Sequence, residues 1–67
     1  MIELLINGES RSFPAPLSLA RLVETLDLAG KRIAIERNGA IVPKSQHVDT
    51  QLVSGDRLEI VVAVGGG

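Results

Sequence analysis

One stretch of this chain spaces its apolar residues with the period of a helix, while most of the remainder is patterned as β-strands. Its four apolar residues fall at positions i, i+3, i+4 and i+7, which places them on one side of a single helix. One helix covers only one face of a sheet. The chain is therefore expected to form two layers, with the helix packed on the sheet through Leu19, Leu22, Val23 and Leu26.

The residues around this stretch indicate where the helix begins and ends. Ser18 is the expected N-cap, and Leu17 is placed to pack against Leu22 as a hydrophobic staple. Gly30 stands where a C-cap glycine belongs. These signals predict one helix of about ten to twelve residues.

Two Asn-Gly pairs separate short stretches that are predicted to be strands, and the first stretch of each pair carries apolar residues at alternate positions. Asn7-Gly8 lies between residues 2–6 and 9–13, and Asn38-Gly39 lies between residues 33–36 and 40–42. Asn-Gly tolerates the positive φ angles of a tight hairpin turn. The sequence therefore predicts two hairpins, one on each side of the helix.

The C-terminal part carries the most apolar of the alternating stretches. It follows a predicted turn at Ser54-Gly55-Asp56, whereas residues 44–50 are polar and are expected to form a loop or a single turn. A long apolar strand suits a central position beside the first strand. The predicted fold is α+β and β-grasp, with a mixed sheet of four to five strands, one domain over residues 1–64 and a flexible tail over residues 65–67.

Composition excludes several classes of function. The net charge is −1, the cations are scattered, and Phe13 is the one aromatic residue, so nucleic-acid binding is not expected. No cysteine is present to form a disulfide, a thiolate metal site or a thiol nucleophile. The longest apolar run, Ile60 to Val64, is too short to cross a membrane. A cytoplasmic protein without membrane contact is expected.

No set of side chains suggests catalysis. His47 is the single histidine, lies in a polar stretch and is expected to be solvated at the surface. The chain is therefore predicted not to be an enzyme and to hold neither metal nor cofactor. The carboxylates are also interpreted as solvated surface groups: Glu3, Glu9, Glu24, Asp27, Glu36, Asp49, Asp56 and Glu59.

The C-terminus is the most distinctive part of the sequence. Gly65, Gly66 and Gly67 follow the most apolar strand directly. Composition alone leaves open a frayed end or a linker remnant. Because glycine has no Cβ, such an end also fits a narrow channel, and three residues reach about 10 Å beyond the fold. In that case the reactive group is the α-carboxylate of Gly67.

Taken together, several segments resemble the ThiS family of thiamine-biosynthesis sulfur carriers, which are ubiquitin-like β-grasp proteins. The resemblance covers the whole chain and is carried by residues 38–44 (NGAIVPK), residues 55–61 (GDRLEIV) and the glycine end. Family members usually end in two glycines after an apolar residue, whereas this chain ends in three. Gly66 and Gly67 match the family's reactive end, and the place of Gly65 in the functional tail is open.

The resemblance implies a role and a set of partners. An E1-like adenylyltransferase, which binds the ATP, would convert the Gly67 carboxylate into an acyl adenylate. A sulfur donor such as a cysteine desulfurase would then replace the AMP, and the thiocarboxylate would be used by thiazole synthase. The carrier itself would be a monomer when free and would need no cofactor.

Strand alternation predicts a surface for such partners. The even-numbered residues 58–64 of the last predicted strand are expected to face the helix. Glu59, Val61 and Ala63 then lie on the uncovered face, and Leu5 of the first strand points the same way. These four residues form the predicted partner-binding patch.

Two other roles remain open from the residues. The small subunit of molybdopterin synthase has the same fold and donates sulfur from the same kind of tail, although its approach to the glycines contains aromatic residues and proline. A ubiquitin-like protein modifier would instead join Gly67 to a lysine.

Overall fold

The computed structural model describes residues 1–63 and contains a five-stranded sheet in the order β2-β1-β5-β3-β4. Strands β1 and β5 are parallel, and the other neighbouring strands are antiparallel. The predicted mixed β-grasp sheet is confirmed, and so is the central position of the last strand beside the first. The elements are β1 (Ile2–Ile6), β2 (Glu9–Phe13), α1 (Leu19–Thr25), β3 (Ile33–Arg37), β4 (Ala40–Ile41), a 3₁₀ turn (Lys44–Gln46) and β5 (Arg57–Val62).

The core lies between α1 and one face of the sheet. Alternate residues of the central strands point toward the helix, so the exposed and buried positions follow the period of two that a half-covered sheet requires. The opposite face, here called the helix-free face, is not covered by any described residue. The core consists of Leu4, Ile6, Phe13, Leu17, Leu19, Leu22, Val23, Ile35, Leu52, Leu58 and Ile60.

Helix α1 begins as the sequence predicts but is shorter, with seven residues. Ser18 is the N-cap, and its hydroxyl accepts a hydrogen bond from the Arg21 backbone N–H at 3.1 Å. Backbone groups of the 47–50 loop meet the helix start, because the carbonyls of Thr50 and His47 accept from the N–H groups of Leu19 and Ala20 at 2.9 and 3.0 Å. The loop thus satisfies amides that a helix leaves unpaired.

The predicted C-cap at Gly30 is wrong, since the helix ends at Thr25 with Leu26 as its C-cap. Asp27 adopts the left-handed conformation, with φ of 60°, and its N–H donates to the Glu24 carbonyl. The Leu28 N–H donates to the Val23 carbonyl. The Val23 side chain is part of the core, and the Leu28 side chain packs against it. This pattern is a Schellman motif, in which an aspartate takes the position usually held by glycine.

His47 is buried rather than solvated, with 6% of its surface exposed. Its Nε2 lies 3.1 Å from the Val42 carbonyl oxygen. The surface position predicted for His47 was wrong because the contacts that bury it come from α1 and from the end of the second hairpin. No local polarity pattern reveals such contacts.

Asp56 is likewise buried, although the sequence suggested a solvated carboxylate. Its Oδ2 accepts hydrogen bonds from the Arg37 guanidinium at 3.0 Å and the Val53 N–H at 2.9 Å, and its Oδ1 accepts from the Asn38 amide at 3.0 Å. Asn38 in turn accepts from the Arg57 N–H at 2.9 Å. Asp56 therefore joins the second hairpin to the turn that begins β5.

These contacts set the protonation of Asp56. Burial by itself raises the pKa of this carboxyl, but the hydrogen bonds from Val53, Asn38 and Arg37, together with the Arg37 charge, outweigh burial and hold the pKa below its usual value. The group thus favours the folded state when it is ionised.

We expect Leu22→Ala to lower the free energy of unfolding by about 2–5 kcal/mol, because Leu22 is fully buried at the centre of the helix stripe. Leu26→Ala is the matched control, since Leu26 is only partly buried, and it should cost less. Urea unfolding measures both. Equal losses would contradict this description of the stripe.

Asp56→Asn should destabilise the protein at pH 7 and flatten its acid sensitivity. Because the folded pKa is lowered, the stabilisation is present above the pKa of the unfolded chain, about 3.9, and is lost as the pH falls through the folded value. The difference in unfolding free energy between wild type and variant should therefore shrink below about pH 4. Urea unfolding across this range tests it, and a constant difference would exclude the proposed charge contribution.

Candidate functional site

The candidate site lies where β5 leaves the sheet. Ala63 is the last described residue, and its N–H donates to the Arg32 carbonyl at 2.8 Å, which extends the pairing of β5 with β3 by one step. Residues 64–67, which include the predicted tail Gly65, Gly66 and Gly67, lie outside the described residues. The candidate site is the surface around Ala63, from which the chain continues into that tail.

Asn7 fixes the middle of β5 from the other side. The Asn7 side chain accepts a hydrogen bond from the Ile60 N–H at 2.8 Å and donates one to the Ile60 carbonyl at 3.1 Å. Its own N–H donates to the Leu58 carbonyl at 2.9 Å. With φ of 49°, Asn7 turns the chain toward β2, a conformation that asparagine tolerates. Asn7 therefore ends β1, and its side chain makes hydrogen bonds to β5 closer to the tail than the residues with which β1 pairs.

The four residues of the predicted partner patch are all exposed, but they do not form one cluster. Val61 is 62% exposed and Leu5 is 36% exposed, both on the helix-free face. Leu5 pairs with Arg57, and Val61 lies four positions further along β5 than Arg57, a distance of about 13 Å. Leu5 therefore lies at the far end of the face, whereas Glu59, Val61 and Ala63 follow one another toward the tail.

The sheet register adds two neighbours that the sequence analysis missed. Ala34 of β3 pairs with Val61, and Glu36 pairs with Glu59. The alternation of residues in β3 is enough to place Ala34 and Glu36 on the helix-free face. Which residues of β5 they pair with depends on the register between the two strands. The facing Glu36 and Glu59 are like charges at a directly paired position, an arrangement that disfavours the sheet unless another charge compensates it.

Beside Val61 the helix-free face opens into a shallow depression of about 390 Å³, here called the tail-side groove. The apolar side chains of its lining, here called its apolar floor, are Ile33, Ala34, Val61 and Ala63. Lys31, Arg32 and Lys44 line the groove as well. Arg32 also holds Ala63 through its backbone, so the groove and the base of the tail share a residue. Lys44 arrives from a different part of the chain, which is why no sequence pattern indicated the cluster.

Residues 1–63 contain no group of three or more His, Asp or Glu side chains placed to hold a metal ion. In the same part of the chain, no helix has the length and apolar character needed to cross a membrane.

Comparison with known proteins gives a consistent family. The model of the ThiS family matches residues 4–67. A thiazole synthase of Paramagnetospirillum magneticum is 42% identical over 66 residues, which cover 98% of this chain and 20% of that protein. The uncharacterized protein ycf40 of Porphyra purpurea is 41% identical over 66 residues, which cover 98% of this chain and 93% of that protein. The chain spans about a fifth of the thiazole synthase that it matches.

Solved structures show the same fold. The crystal structure of a thiamine biosynthesis protein (ThiS) from Geobacter metallireducens superimposes with a TM-score of 0.82 at 25% identity, covering 98% of this chain and all of that one. A solution structure of a thiamine biosynthesis protein from the same organism gives a TM-score of 0.80 at 25% identity, covering 98% of this chain and 88% of that one.

Proposed function

The chain belongs to the ThiS family of sulfur carriers in thiamine biosynthesis, and we propose that it carries sulfur as a thiocarboxylate on Gly67. The observation that carries this proposal is the extent of the family match, which continues through the terminal glycines. The carrier then acts as a co-substrate of other enzymes and is not itself a catalyst.

The proposed chemistry converts the Gly67 carboxylate into a thiocarboxylate through an acyl adenylate. A carboxylate oxygen of Gly67 attacks the α-phosphorus of ATP on an E1-like adenylyltransferase, and pyrophosphate leaves. The outer sulfur of a persulfide on a donor such as a cysteine desulfurase then attacks the carbonyl carbon, and AMP leaves, which gives an acyl disulfide. A thiol of a partner protein attacks the donor's sulfur in this disulfide, so that the thiocarboxylate is released on Gly67 and the donor is left in a disulfide with that thiol. Activation is needed because a carboxylate has no adequate leaving group of its own. The chain has no cysteine, so none of its side chains can hold sulfur as a thiol or persulfide.

Thiazole synthase is the proposed acceptor of the sulfur. The support comes from a protein named thiazole synthase, about a fifth of which is similar to nearly the whole of this chain. A similar segment within one polypeptide of that name would keep a sulfur carrier close to the site of use.

The tail side of the helix-free face is the proposed docking surface for the adenylyltransferase. Val61 and Ala63 lie on it at the base of the tail, with Ala34 beside them and Glu59 next along the strand. A partner that binds here would cover exposed apolar surface and receive the tail directly. Leu5, at the other end of the face, belongs to this surface only if the partner extends across the whole sheet.

Incubation with the adenylyltransferase, Mg-ATP and a sulfur source should replace one oxygen of the chain by sulfur. Tandem mass spectrometry should locate the sulfur on Gly67. The same chain with a C-terminal amide is the matched control and should remain unchanged, because it has no carboxylate to adenylate. Sulfur on an internal residue, or Gly67 joined to lysines of other proteins, would contradict the carrier proposal.

Val61→Asp should leave folding intact and weaken use by the adenylyltransferase. The side chain is largely exposed in the free protein, but in a covered interface the new carboxylate would be desolvated without a designed partner. We expect the KM for the carrier to rise about tenfold or more, since such a charge costs more than 1.4 kcal/mol. Turnover against carrier concentration, beside a thermal melt, measures both effects.

The matched control is Val53→Asp, which introduces the same charge at a residue that is 55% exposed. Val53 lies before the turn that starts β5, at the opposite end of that strand from the tail. It should react like wild type. Equal KM values for wild type and Val61→Asp would place the docking surface elsewhere.

A further inference from the structure

A group of cations lies at the base of the tail. Three of the seven basic residues, Lys31, Arg32 and Lys44, surround the tail-side groove, and all three are exposed. Lys31 and Lys44 also line the adjoining groove on the helix side. The cluster forms because the 30–33 segment and the 3₁₀ turn meet beside the end of β5.

Within residues 1–63 these three cations form no salt bridge, whereas two other basic residues do. Arg37 pairs with Asp56 at 2.9 Å, and Arg21 pairs with Glu24 at 3.6 Å. A local group of positive charge thus stands on a protein whose net charge is −1. Such a group attracts negative charge locally even though the molecule as a whole does not.

The sign of the charge on the helix-free face also changes along β5. The facing carboxylates Glu36 and Glu59 lie two residue positions beyond the pair formed by Ala34 and Val61, away from the tail. Arg57 lines the same part of the surface and offsets one of these two charges, which leaves a net charge of −1 there. Negative charge on a partner is therefore repelled at that position and attracted at the tail side. The apolar floor between these regions suits a protein segment with aliphatic side chains better than a phosphate backbone.

We propose that the tail-side groove receives an acidic segment of the adenylyltransferase, with apolar side chains on Val61 and Ala63 and carboxylates facing Lys31, Arg32 and Lys44. This inference rests on the proposed function and adds the chemistry of the partner surface. The cations at one end of the face and the carboxylates at the other allow the carrier to dock in one direction only. In that orientation the cations contact the acidic segment of the adenylyltransferase while the tail enters the same enzyme.

The test compares two double variants with the same change in net charge. Lys31→Glu/Lys44→Glu reverses two cations of the groove. Arg11→Glu/Arg21→Glu reverses two exposed cations on β2 and α1, away from the groove. Calorimetric titration of each full-length carrier into the adenylyltransferase at low salt gives Kd, and thermal melts verify folding.

We expect the groove variant to bind about tenfold or more weakly and the control to bind within about threefold of wild type. Added salt should weaken wild type more than the groove variant, because the screened attraction is already lost in the variant. Lys31→Arg/Lys44→Arg keeps the charges and should restore binding.

Equal binding by the groove and control variants, while wild type is adenylated normally, would overturn this inference and leave the proposed function standing. Tighter binding by the groove variant would likewise overturn it, because the partner surface would then be basic. A wild-type chain that is neither bound nor adenylated would overturn the proposed function and this inference with it.

Discussion

The structure depends on the parallel pairing of the first strand with the last. β5 lies between β1 and β3, so the C-terminal strand completes the sheet at its centre rather than at an edge. Its inward residues, Leu58 and Ile60, complete the core under α1. Until this strand is in place, the two hairpins have no shared neighbour, and the helix stripe has only part of its packing surface. The strand that leads to the terminal glycines is therefore also the one that unites the fold.

Two polar side chains hold this strand in register where apolar packing alone would allow sliding. Asp56 fixes its start through Arg37 and Asn38, and Asn7 holds Ile60 through both backbone groups. Apolar packing at every second residue determines which face of a strand points inward, but it distinguishes less well between two registers that differ by two residues. Directed hydrogen bonds remove that ambiguity, and they thereby determine which residues surround the base of the tail.

The sequence was sufficient for features that depend on local pattern. The Asn-Gly hairpins, the Ser18 cap, the helix stripe and the exposure of Val61 follow from spacing and turn chemistry. Burial of His47 and Asp56 was missed because it depends on groups distant in the chain. The helix end was missed because Asp27 fills a position for which glycine is the usual signal. The tail-side groove was missed because Lys44 meets Lys31 only after folding.

The hydrogen bonds along both sides of β5 have a mechanical consequence. A force applied through the C-terminus pulls β5 nearly along its own direction. The hydrogen bonds from β5 to β1 and β3 are then loaded in shear, so they resist the force together instead of breaking one at a time. The side-chain bonds of Asn7 to Ile60 add to this resistance near the loaded end. The domain can thus be held by its last residues while its body remains folded.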